Sequence, residues 1–182
     1  MLTVEPFKAV RLLYGNPVTL VTSHLAGRTN IMTMTWVTPI SVNPALVAAA
    51  VTPSSLTHKY IAESGEFVLN IPDLGLLREV HICGTYSGRG LDKMRVLHMA
   101  TAASQMVKPL VLLDCIAAIE CQVLDRRQAG DRILFIAEIV CAAAEPDRFG
   151  DHWLDAAHTL HHIGGDRYVC QGQVHRPQKA RL

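Results

Sequence analysis

Three hydroxyl side chains stand close together in the run Ser54-Ser55-Leu56-Thr57, where a helical pattern begins. The N-terminus of a helix presents backbone N–H groups that have no intrahelical acceptor, and its dipole favours negative charge. Hydroxyl groups at this place add further hydrogen-bond donors, so the run predicts a phosphate site. The alternative interpretation is an ordinary N-cap, which a serine supplies at the start of many helices.

A second candidate is the glycine-rich run Ser87-Gly88-Arg89-Gly90-Leu91-Asp92-Lys93. Glycine lets the backbone approach a ligand closely, and the side chains of Arg89 and Lys93 can neutralise a phosphate. The run differs from a P-loop because the Gly-Lys-Ser/Thr ending is absent. The alternative is a surface loop with solvated charges.

Three histidines in the C-terminal part of the chain, His158, His161 and His162, are spaced by three and four residues. On a helix these spacings bring side chains to one face, where imidazoles can ligate a metal ion. No HExxH motif is present, and no acidic residue has the spacing of a further ligand. The alternative is capping and packing near Gly164, and we predict no metal site.

The cysteines offer little for nucleophilic chemistry. Cys83 has His81 nearby, but one residue separates them, so in a helix their side chains point apart. The chain has five cysteines and no CxxC pair. An odd count without paired spacing predicts free thiols in a reducing compartment.

The hydroxyl run lies near the end of a stretch, Thr29 to Ile61, that must position it. Side chains alternate from Asn30 to Val37, which predicts a strand. Pro39, Asn43 and Pro44 break the pattern, the apolar run from Ala45 to Val51 has the length of a buried strand, and Leu56 to Ser64 is typical of a helix. The predicted phosphate site therefore stands where a strand passes into a helix.

The other elements follow the same reasoning and indicate an antiparallel barrel with helical insertions, or alternatively a mixed α+β sheet. Besides Leu56 to Ser64, the predicted helices are Phe7 to Tyr14 and Leu74 to Cys83, and the histidines stand in the stretch from Leu154 to Ile163, which the metal interpretation places on a helix. The predicted strands are Val18 to Leu25, Glu66 to Pro72, Leu110 to Asp125, Arg132 to Cys141, and Tyr168 to Cys170. We expect a loop at Gly84 to Gly90, irregular chain from Val96 to Lys108, and a polar turn from Arg126 to Asp131.

Composition narrows the class of protein. The 182 residues fit one domain, 1-182, and 49% of them are hydrophobic, which is enough for a core. A net charge of +1 offers no bulk attraction to nucleic acid or anionic lipid. The first residues lack a secretory apolar region, and no apolar run nears the ~18 residues of a membrane span. We therefore expect a cytoplasmic protein.

An ordered set of segments resembles the flavin reductase-like, FMN-binding split-barrel family, which includes the flavoredoxins. The set spans about residues 17 to 140, and the tail from Leu160 to Tyr168 also resembles the end of that family. The segments are Pro17-Val18 with Val21-Thr22-Ser23, Asn30 to Pro39, the Ser-Leu-Thr run ending at Thr57, Ser64-Gly65-Glu66-Phe67 with Asn70-Ile71-Pro72, Cys83-Gly84 with Ser87-Gly88-Arg89 and Asp92-Lys93, Pro109-Leu110, Glu120-Cys121, and Gly130-Asp131 with Leu134-Phe135.

The resemblance implies a mainly β fold, a six-stranded antiparallel Greek-key split barrel with short flanking helices, acting as a homodimer with FMN near the interface. It also implies roles for nine residues of this chain. Thr33, Met34, Thr35 and Trp36 would line the isoalloxazine, Ser54, Ser55 and Thr57 would hold the phosphate, and Ser87 and Lys93 would close over the ribityl phosphate end.

Three positions depart from the family pattern. Reductases of the family often have Gly-Asp-His in the hairpin after the long strand, where this chain has Arg132, and a glycine is usual in place of Ala137. The basic residue that often precedes Thr57 is also absent. Arg132 can pair with a pyridine-nucleotide phosphate, since guanidinium is planar and permanently charged. Alternatively, the arginine indicates a different electron donor.

The resemblance therefore favours an NAD(P)H-dependent flavin oxidoreductase that binds FMN and supplies reduced flavin, with a monooxygenase as a candidate partner. The first alternative is a flavoredoxin-like electron-transfer protein that receives electrons from a redox protein. The second is a non-redox ligand-binding domain that reuses the barrel, because fold does not fix function. A metal-dependent hydrolase has no supporting carboxylate–histidine arrangement.

Overall fold

The computed structural model describes residues 3–172, which form a mainly β structure with four short helices in that part of the chain. The helices are α1 (Pro6–Ala9), α2 (Leu56–Ser64), α3 (Leu77–Thr85) and α4 (Lys93–Leu97); 3₁₀ turns at Val10–Leu13 and Leu74–Leu76 follow α1 and precede α3. The strands are β1 (Thr19–Leu25), β2 (Arg28–Met34), β3 (Val37–Val42), β4 (Ala45–Val51), β5 (Glu66–Ile71), β6 (Thr101–Ala102), β7 (Val111–Leu112), β8 (Ala117–Ala129), β9 (Arg132–Ala144), β10 (Leu160–Gly164) and β11 (Arg167–Cys170).

Seven of these strands form one antiparallel sheet in the order β2-β1-β5-β8-β9-β4-β3. The predicted antiparallel, mainly β fold is confirmed, although the main sheet has seven strands where six were expected. β2 and β3 are the two edges of this sheet, yet they are consecutive in the chain and joined by only Thr35 and Trp36. The segment predicted to line a flavin therefore connects the two open edges.

The long hairpin β8–β9 is confirmed, but its turn is shorter than predicted. β8 continues to Ala129, which pairs with Arg132, so the connection is only Gly130 and Asp131. Gly130 has φ of 60°, a conformation that glycine adopts without steric cost. Arg126 to Gln128 belong to the strand because pairing with β9 satisfies their backbone while their side chains remain solvated.

Two apolar clusters hold the sheet and place β2 between helices. One includes the fully buried rings of Phe67 and Phe135, with Ile61 of α2 packed beside them. The other includes Ile31 of β2 and Val80 of α3. Strand β2 is therefore covered by α3 on one face and faces the main core on the other.

Two elements of the first half differ from the sequence-based predictions. Pro39, expected to break the chain, lies inside β3, which is tolerated because β3 is an edge strand and its register shifts between Pro39 and Ser41. Helix α3 runs through Gly84 and Thr85, which were predicted as loop, and α4 begins at Lys93.

The second half differs in two further places. The predicted strand from Leu110 to Asp125 is divided into β7 and β8 by a turn, in which the amide of Cys115 donates to the carbonyl of Leu112 over 3.2 Å. The predicted helix with the histidines is wrong, because His161 and His162 lie on β10, which pairs with β11 after Gly164-Gly165. Antiparallel pairing between β10 and β11 replaces the helical face that the spacing predicted.

Helices are short throughout the described part of the chain, with nine residues each in α2 and α3. None of them is long and apolar enough to cross a membrane.

Candidate functional site

The hydroxyl run surrounds the start of α2. Ser55 is the N-cap, and its Oγ accepts a hydrogen bond from the amide of His58 over 3.0 Å. The N-cap interpretation is therefore confirmed for Ser55. Ser54 is exposed in the loop before the helix, and the first-turn amides of Leu56 and Thr57 have no intrahelical acceptor to reach. These donors give the helix start the chemistry of an anion site.

Thr57 connects this helix start to β2. The amide Nδ2 of Asn30 donates to Thr57 Oγ1 over 2.8 Å, and both side chains are buried. Because a hydroxyl has one proton and two lone pairs, the Thr57 proton is still available to an acceptor. Asn30 was not among the predicted site residues, since nothing in its local sequence indicates a bond to a residue 27 positions later.

The glycine-rich run comes to the same place. A Cβ added to Gly88 would lie 2.0 Å from Oδ1 of Asn30, so only glycine fits here without a shift. Arg89 Nη2 donates to the carbonyl of Ser54 over 3.4 Å. We call the group Asn30, Ser54, Ser55, Thr57 and Arg89 the cradle. The structure thus brings together the two motifs that sequence reasoning proposed separately.

The side chain of Lys93 has two hydrogen-bond partners within the protein, and its role at the phosphate end stays a prediction. Its ammonium is buried and donates to the carbonyls of Cys83 and Tyr86 over 3.0 and 2.9 Å, at the C-terminal end of α3. Burial lowers the pKa of Lys93, and the nearby Cys83 acts in the opposite direction. Ser87 Oγ accepts from the amide of Arg89 over 3.2 Å and so shapes the loop. Arg89 is therefore the cation whose side chain bonds the loop before α2, through the carbonyl of Ser54.

The segment from Thr33 to Trp36 is fixed by its own hydrogen bonds. Thr33 Oγ1 donates to the carbonyl of Val80 on α3 over 2.5 Å. The side chain of Met34 is buried in the main core, so its backbone is what a ligand can reach. The carbonyl of Trp36 accepts from the amide of Ala50 over 2.9 Å. The segment is therefore held at one end by α3 and at the other by β4.

Arg132 joins this segment to the cradle. Its guanidinium lies over the ring of Trp36, 4.9 Å from the centroid, and Nη1 donates to Thr52 Oγ1. The carbonyl of Thr52 in turn accepts from the amide of Ser55 over 3.0 Å. The carboxylate of Asp131 is 3.5 Å from Nε of Arg132. The first residue of β9 thus places a cation between the predicted ring segment, Thr33 to Trp36, and the predicted phosphate site at the start of α2.

A small pocket of about 260 Å³ lies beside Thr33 and Thr35, between α3 and the β10–β11 hairpin. His162 forms one wall, with its ring centroid 5.5 Å from Tyr14 and 5.3 Å from Tyr168. Sequence reasoning placed this histidine on a helix and so missed its position next to Thr35.

The three histidines do not converge on a metal. His161 Nδ1 lies 2.8 Å from the carbonyl of Gly15, His162 Nε2 lies 3.0 Å from the carbonyl of Gly165, and His158 is exposed. Residues 3–172 contain no group of three His, Cys, Asp or Glu side chains arranged to hold a metal ion.

The five cysteines are free, and three are buried. Burial raises the pKa of the Cys83 thiol from 9.0 to about 11, although Lys93 acts in the opposite direction. Burial also raises the pKa of Cys121 to about 12 and that of Cys115 further. A thiol that stays protonated is a poor nucleophile, which agrees with a structural role for Cys83.

Comparison with known proteins places this geometry in a family. The Flavin reductase like domain family matches residues 11–169. An uncharacterised protein of Pyrococcus abyssi is 34% identical over 139 residues, which cover 76% of this chain and 80% of the relative.

Two solved structures share the architecture. An FMN-binding domain of a flavin reductases-like enzyme from Shewanella baltica is 26% identical, with a TM-score of 0.83 and 96% of each chain covered. Flavoredoxin from Methanosarcina acetivorans is 25% identical, with a TM-score of 0.82 and 91% of this chain and 90% of that chain covered. The family match extends over most of the sequence and includes every residue of the cradle, and we conclude that the chain belongs to the flavin reductase like family.

Proposed function

We propose that this chain binds FMN and is an NAD(P)H-dependent flavin oxidoreductase. The observation that carries the proposal is the cradle, in which side chains from β2, the start of α2 and the 87–90 loop meet around one helix N-terminus. Hydroxyl and amide donors with an adjacent guanidinium are the groups that bind a phosphate monoester.

The phosphate end of the proposed site combines two kinds of contact. Ser54, Ser55 and the first-turn amides of α2 offer neutral donors, and Arg89 offers a charge. Thr57 contributes its remaining hydroxyl proton. Ser87 shapes the loop, and Lys93 holds the end of α3 from which that loop departs. The close approach of Gly88 to Asn30 keeps the loop against this end of the site.

The ring end of the proposed site is the segment Thr33, Met34, Thr35 and Trp36. Alternate backbone groups of an edge strand point away from the sheet, and such groups can bond the polar edge of a flavin. FMN supplies the hydride and electron chemistry, while the protein binds and orients it. The bonds from Thr33 to Val80 and from Ala50 to Trp36 fix this segment before any ligand arrives.

We further propose that residues 1–182 act as a single domain, as a homodimer in the cytoplasm. Five free thiols suit a reducing compartment. Electrons would come from NAD(P)H, and reduced flavin would serve an acceptor such as a monooxygenase.

A second candidate is a flavoredoxin-like electron-transfer protein. The observation that favours it is Arg132, which stacks on Trp36 at the position where the resemblance leads us to expect histidine. An arginine engaged with Trp36 and Thr52 narrows the space beside the proposed ring site, and electron transfer from a protein donor does not require a bound nicotinamide there.

The test is a visible spectrum of the purified protein after addition of FMN, followed by anaerobic mixing with NADH or NADPH. Bleaching of the flavin absorbance supports the reductase. Yellow protein that stays oxidised with both nucleotides, but is reduced by dithionite, supports the electron-transfer protein. A protein that takes up no FMN contradicts both.

A further inference from the structure

The N-terminal arm, which comprises α1 and the 3₁₀ turn after it, presents large apolar side chains to solvent. Phe7, Leu12 and Leu13 are 71, 73 and 79% exposed, and within this fully described arm no residue is buried. Isolated helices shorter than about 12–15 residues are marginal in water, because their stability comes mainly from packing an apolar face. Clustered apolar side chains on a surface mark a site of interaction. The arm therefore has the character of an element that packs on a partner.

An apolar groove of about 650 Å³ lies where β8 begins and β9 ends. It is lined by Ala117 and Ile119 of β8, Ala143 of β9, and the rings of Phe149 and Trp153, whose centroids are 5.1 Å apart. A groove of this volume has room for several large side chains, and apolar side chains gain free energy when they leave water together. The groove therefore suits an apolar element of another surface.

The charges of the arm and of the groove are complementary. Lys8 and Arg11 are the only charged residues of the arm, which gives it a net charge of +2. The chain from Glu145 to Asp155, which lines the groove with its two aromatic rings, carries four carboxylates and one arginine, a net charge of −3. Two of these carboxylates, Asp151 and Asp155, are exposed and have no ion-pair partner within residues 3–172. An acidic rim beside an apolar groove fits an arm that is both apolar and basic.

We propose that the groove receives the N-terminal arm of a second copy of the chain, with the apolar side chains of the arm inside and its two cations toward the acidic rim. No residue of this fully described arm lines the groove of its own chain. Under a two-fold axis each copy gives an arm and receives one, so a single partner covers both apolar surfaces of each chain. The inference rests on the proposed homodimer, whose contact surface it names, and not on the binding of FMN.

The base of the arm is attached to its own chain. The amide of Gly15 donates to the carbonyl of His162 over 3.0 Å, and the ring centroid of Tyr14 lies 5.5 Å from that of His162. Pro17, four positions after Leu13, lines the groove. The arm thus starts from a fixed point beside one groove, and the contact with a second copy involves the same hairpin that walls the pocket next to Thr35.

The experiment is sedimentation velocity of the full chain over a series of concentrations. Leu13→Glu and Phe7→Glu each place a charge on the arm, and Ala143→Glu places one in the groove. All three side chains are exposed in the single chain, so the fold does not depend on them. Val42→Glu is the matched control, because Val42 is 94% exposed and belongs to neither surface. Circular dichroism establishes that each variant is folded.

We expect the wild type to be a dimer. Each arm variant and Ala143→Glu should raise its dissociation constant at least tenfold, whereas Val42→Glu should leave it unchanged. An equimolar mixture of Leu13→Glu and Ala143→Glu should associate more tightly than either variant alone. The reason is that a mixed dimer retains one contact in which both the arm and the groove are intact.

The proposal is overturned if the wild type is a monomer, if its dimer withstands both kinds of variant, or if the mixture associates no better than its components. It is also overturned if Val42→Glu dissociates the dimer equally, because the contact would then involve the β3–β4 turn. FMN titration of the same proteins tests the flavin site separately. A dimer that obeys these expectations but takes up no FMN supports the arm contact and contradicts only the proposed function.

Discussion

The guanidinium of Arg132 lies over the indole ring of Trp36, 4.9 Å from its centroid, and is held there by a hydrogen bond to Thr52. Trp36 immediately precedes the edge strand β3, Thr52 lies between β4 and α2, and Arg132 is the first residue of β9. One side chain therefore connects the segment from Thr33 to Trp36, the loop before α2 and the hairpin β8–β9.

Arg132→Lys should lower the free energy of unfolding by about 1 kcal/mol, although the charge is kept. A lysine ammonium cannot stack its plane on Trp36 and bond Thr52 together, and cation–π contacts of this kind contribute ~0.5–2 kcal/mol. Urea denaturation followed by tryptophan fluorescence measures the change. Asp131→Asn is the control and should cost less, since its carboxylate is 84% exposed. Equal stability of Arg132→Lys and the wild type would contradict the stacking role.

Gly88→Ala should weaken FMN binding at least tenfold. The added methyl group would lie 2.0 Å from Oδ1 of Asn30 and 3.1 Å from Leu56, so the loop must move away from the cradle. Gly90→Ala is a matched control, because no atom lies within 4 Å of its added Cβ. Fluorescence titration with FMN measures both variants. Equal FMN affinity of the two variants would exclude a role for the close approach of Gly88 to Asn30.

The variants Arg89→Met and Lys93→Met should affect different quantities: the first the affinity for FMN, the second the free energy of unfolding. Arg89 is the cation of the cradle, so its loss should weaken FMN binding by about 1.5 kcal/mol, roughly tenfold, and leave riboflavin binding unaffected. Lys93→Met should instead lower the free energy of unfolding by about 2 kcal/mol, because two carbonyls at the end of α3 lose their donor.

The comparison needs binding and denaturation data for both variants. If Lys93→Met folds as stably as the wild type and selectively loses FMN over riboflavin, its ammonium reaches the phosphate as the family resemblance implies.

Alkaline pH should destabilise the protein through its buried thiols. The pKa of Cys83 rises from 9.0 to about 11 on folding, and that of Cys121 to about 12. Between pH 9 and 11 the folded thiols keep protons that the unfolded chain releases, so stability falls as pH rises. Each thiol contributes about 1.4 kcal/mol per pH unit. Lys93 acts in the opposite sense, because burial lowers its pKa and stability rises toward pH 10.5.

With Cys115 as the third buried thiol, the thiols outweigh the single lysine. Urea denaturation at pH 7.5, 8.5, 9.5 and 10 measures the slope. Cys121→Ala removes one titrating thiol and should reduce that slope by about 1.4 kcal/mol per pH unit. A stability that is flat from pH 8.5 to 10 would contradict the assignment.

The local elements were largely predictable because their signals are local. Ala45–Val51 and Leu56–Ser64 have the predicted bounds, and the helix ends at Gly65, whose φ of 73° suits glycine. The alternation along β2 and the β8–β9 hairpin were also predicted. The exceptions have tertiary causes. Pro39 is tolerated in β3 because β3 is an edge strand. The histidine tail forms a hairpin that contacts a distant part of the chain: His161 bonds the carbonyl of Gly15, 146 positions earlier, and the ring of His162 lies beside Tyr14.

The candidate site was predictable in its motifs but not in its connections. Hydroxyls before a helix and glycines beside a cation indicate an anion site wherever they occur. The connections depend on contacts between distant segments. These are the bond from Asn30 to Thr57, the bond from Arg89 to the carbonyl of Ser54, and the position of Arg132 over Trp36. Such contacts leave no periodic trace in the sequence.

The two open edges of the main sheet differ in how they meet other chains. An exposed edge strand is a template for intermolecular pairing. Pro39 lacks an N–H group and the register of β3 shifts beside it, so this edge resists the addition of a foreign strand. β2 has no proline, and its outer edge has no strand partner within residues 3–172. The edge strand that contributes Thr33 and Met34 to the proposed ring site is thus also the one at which aggregation by strand addition would begin.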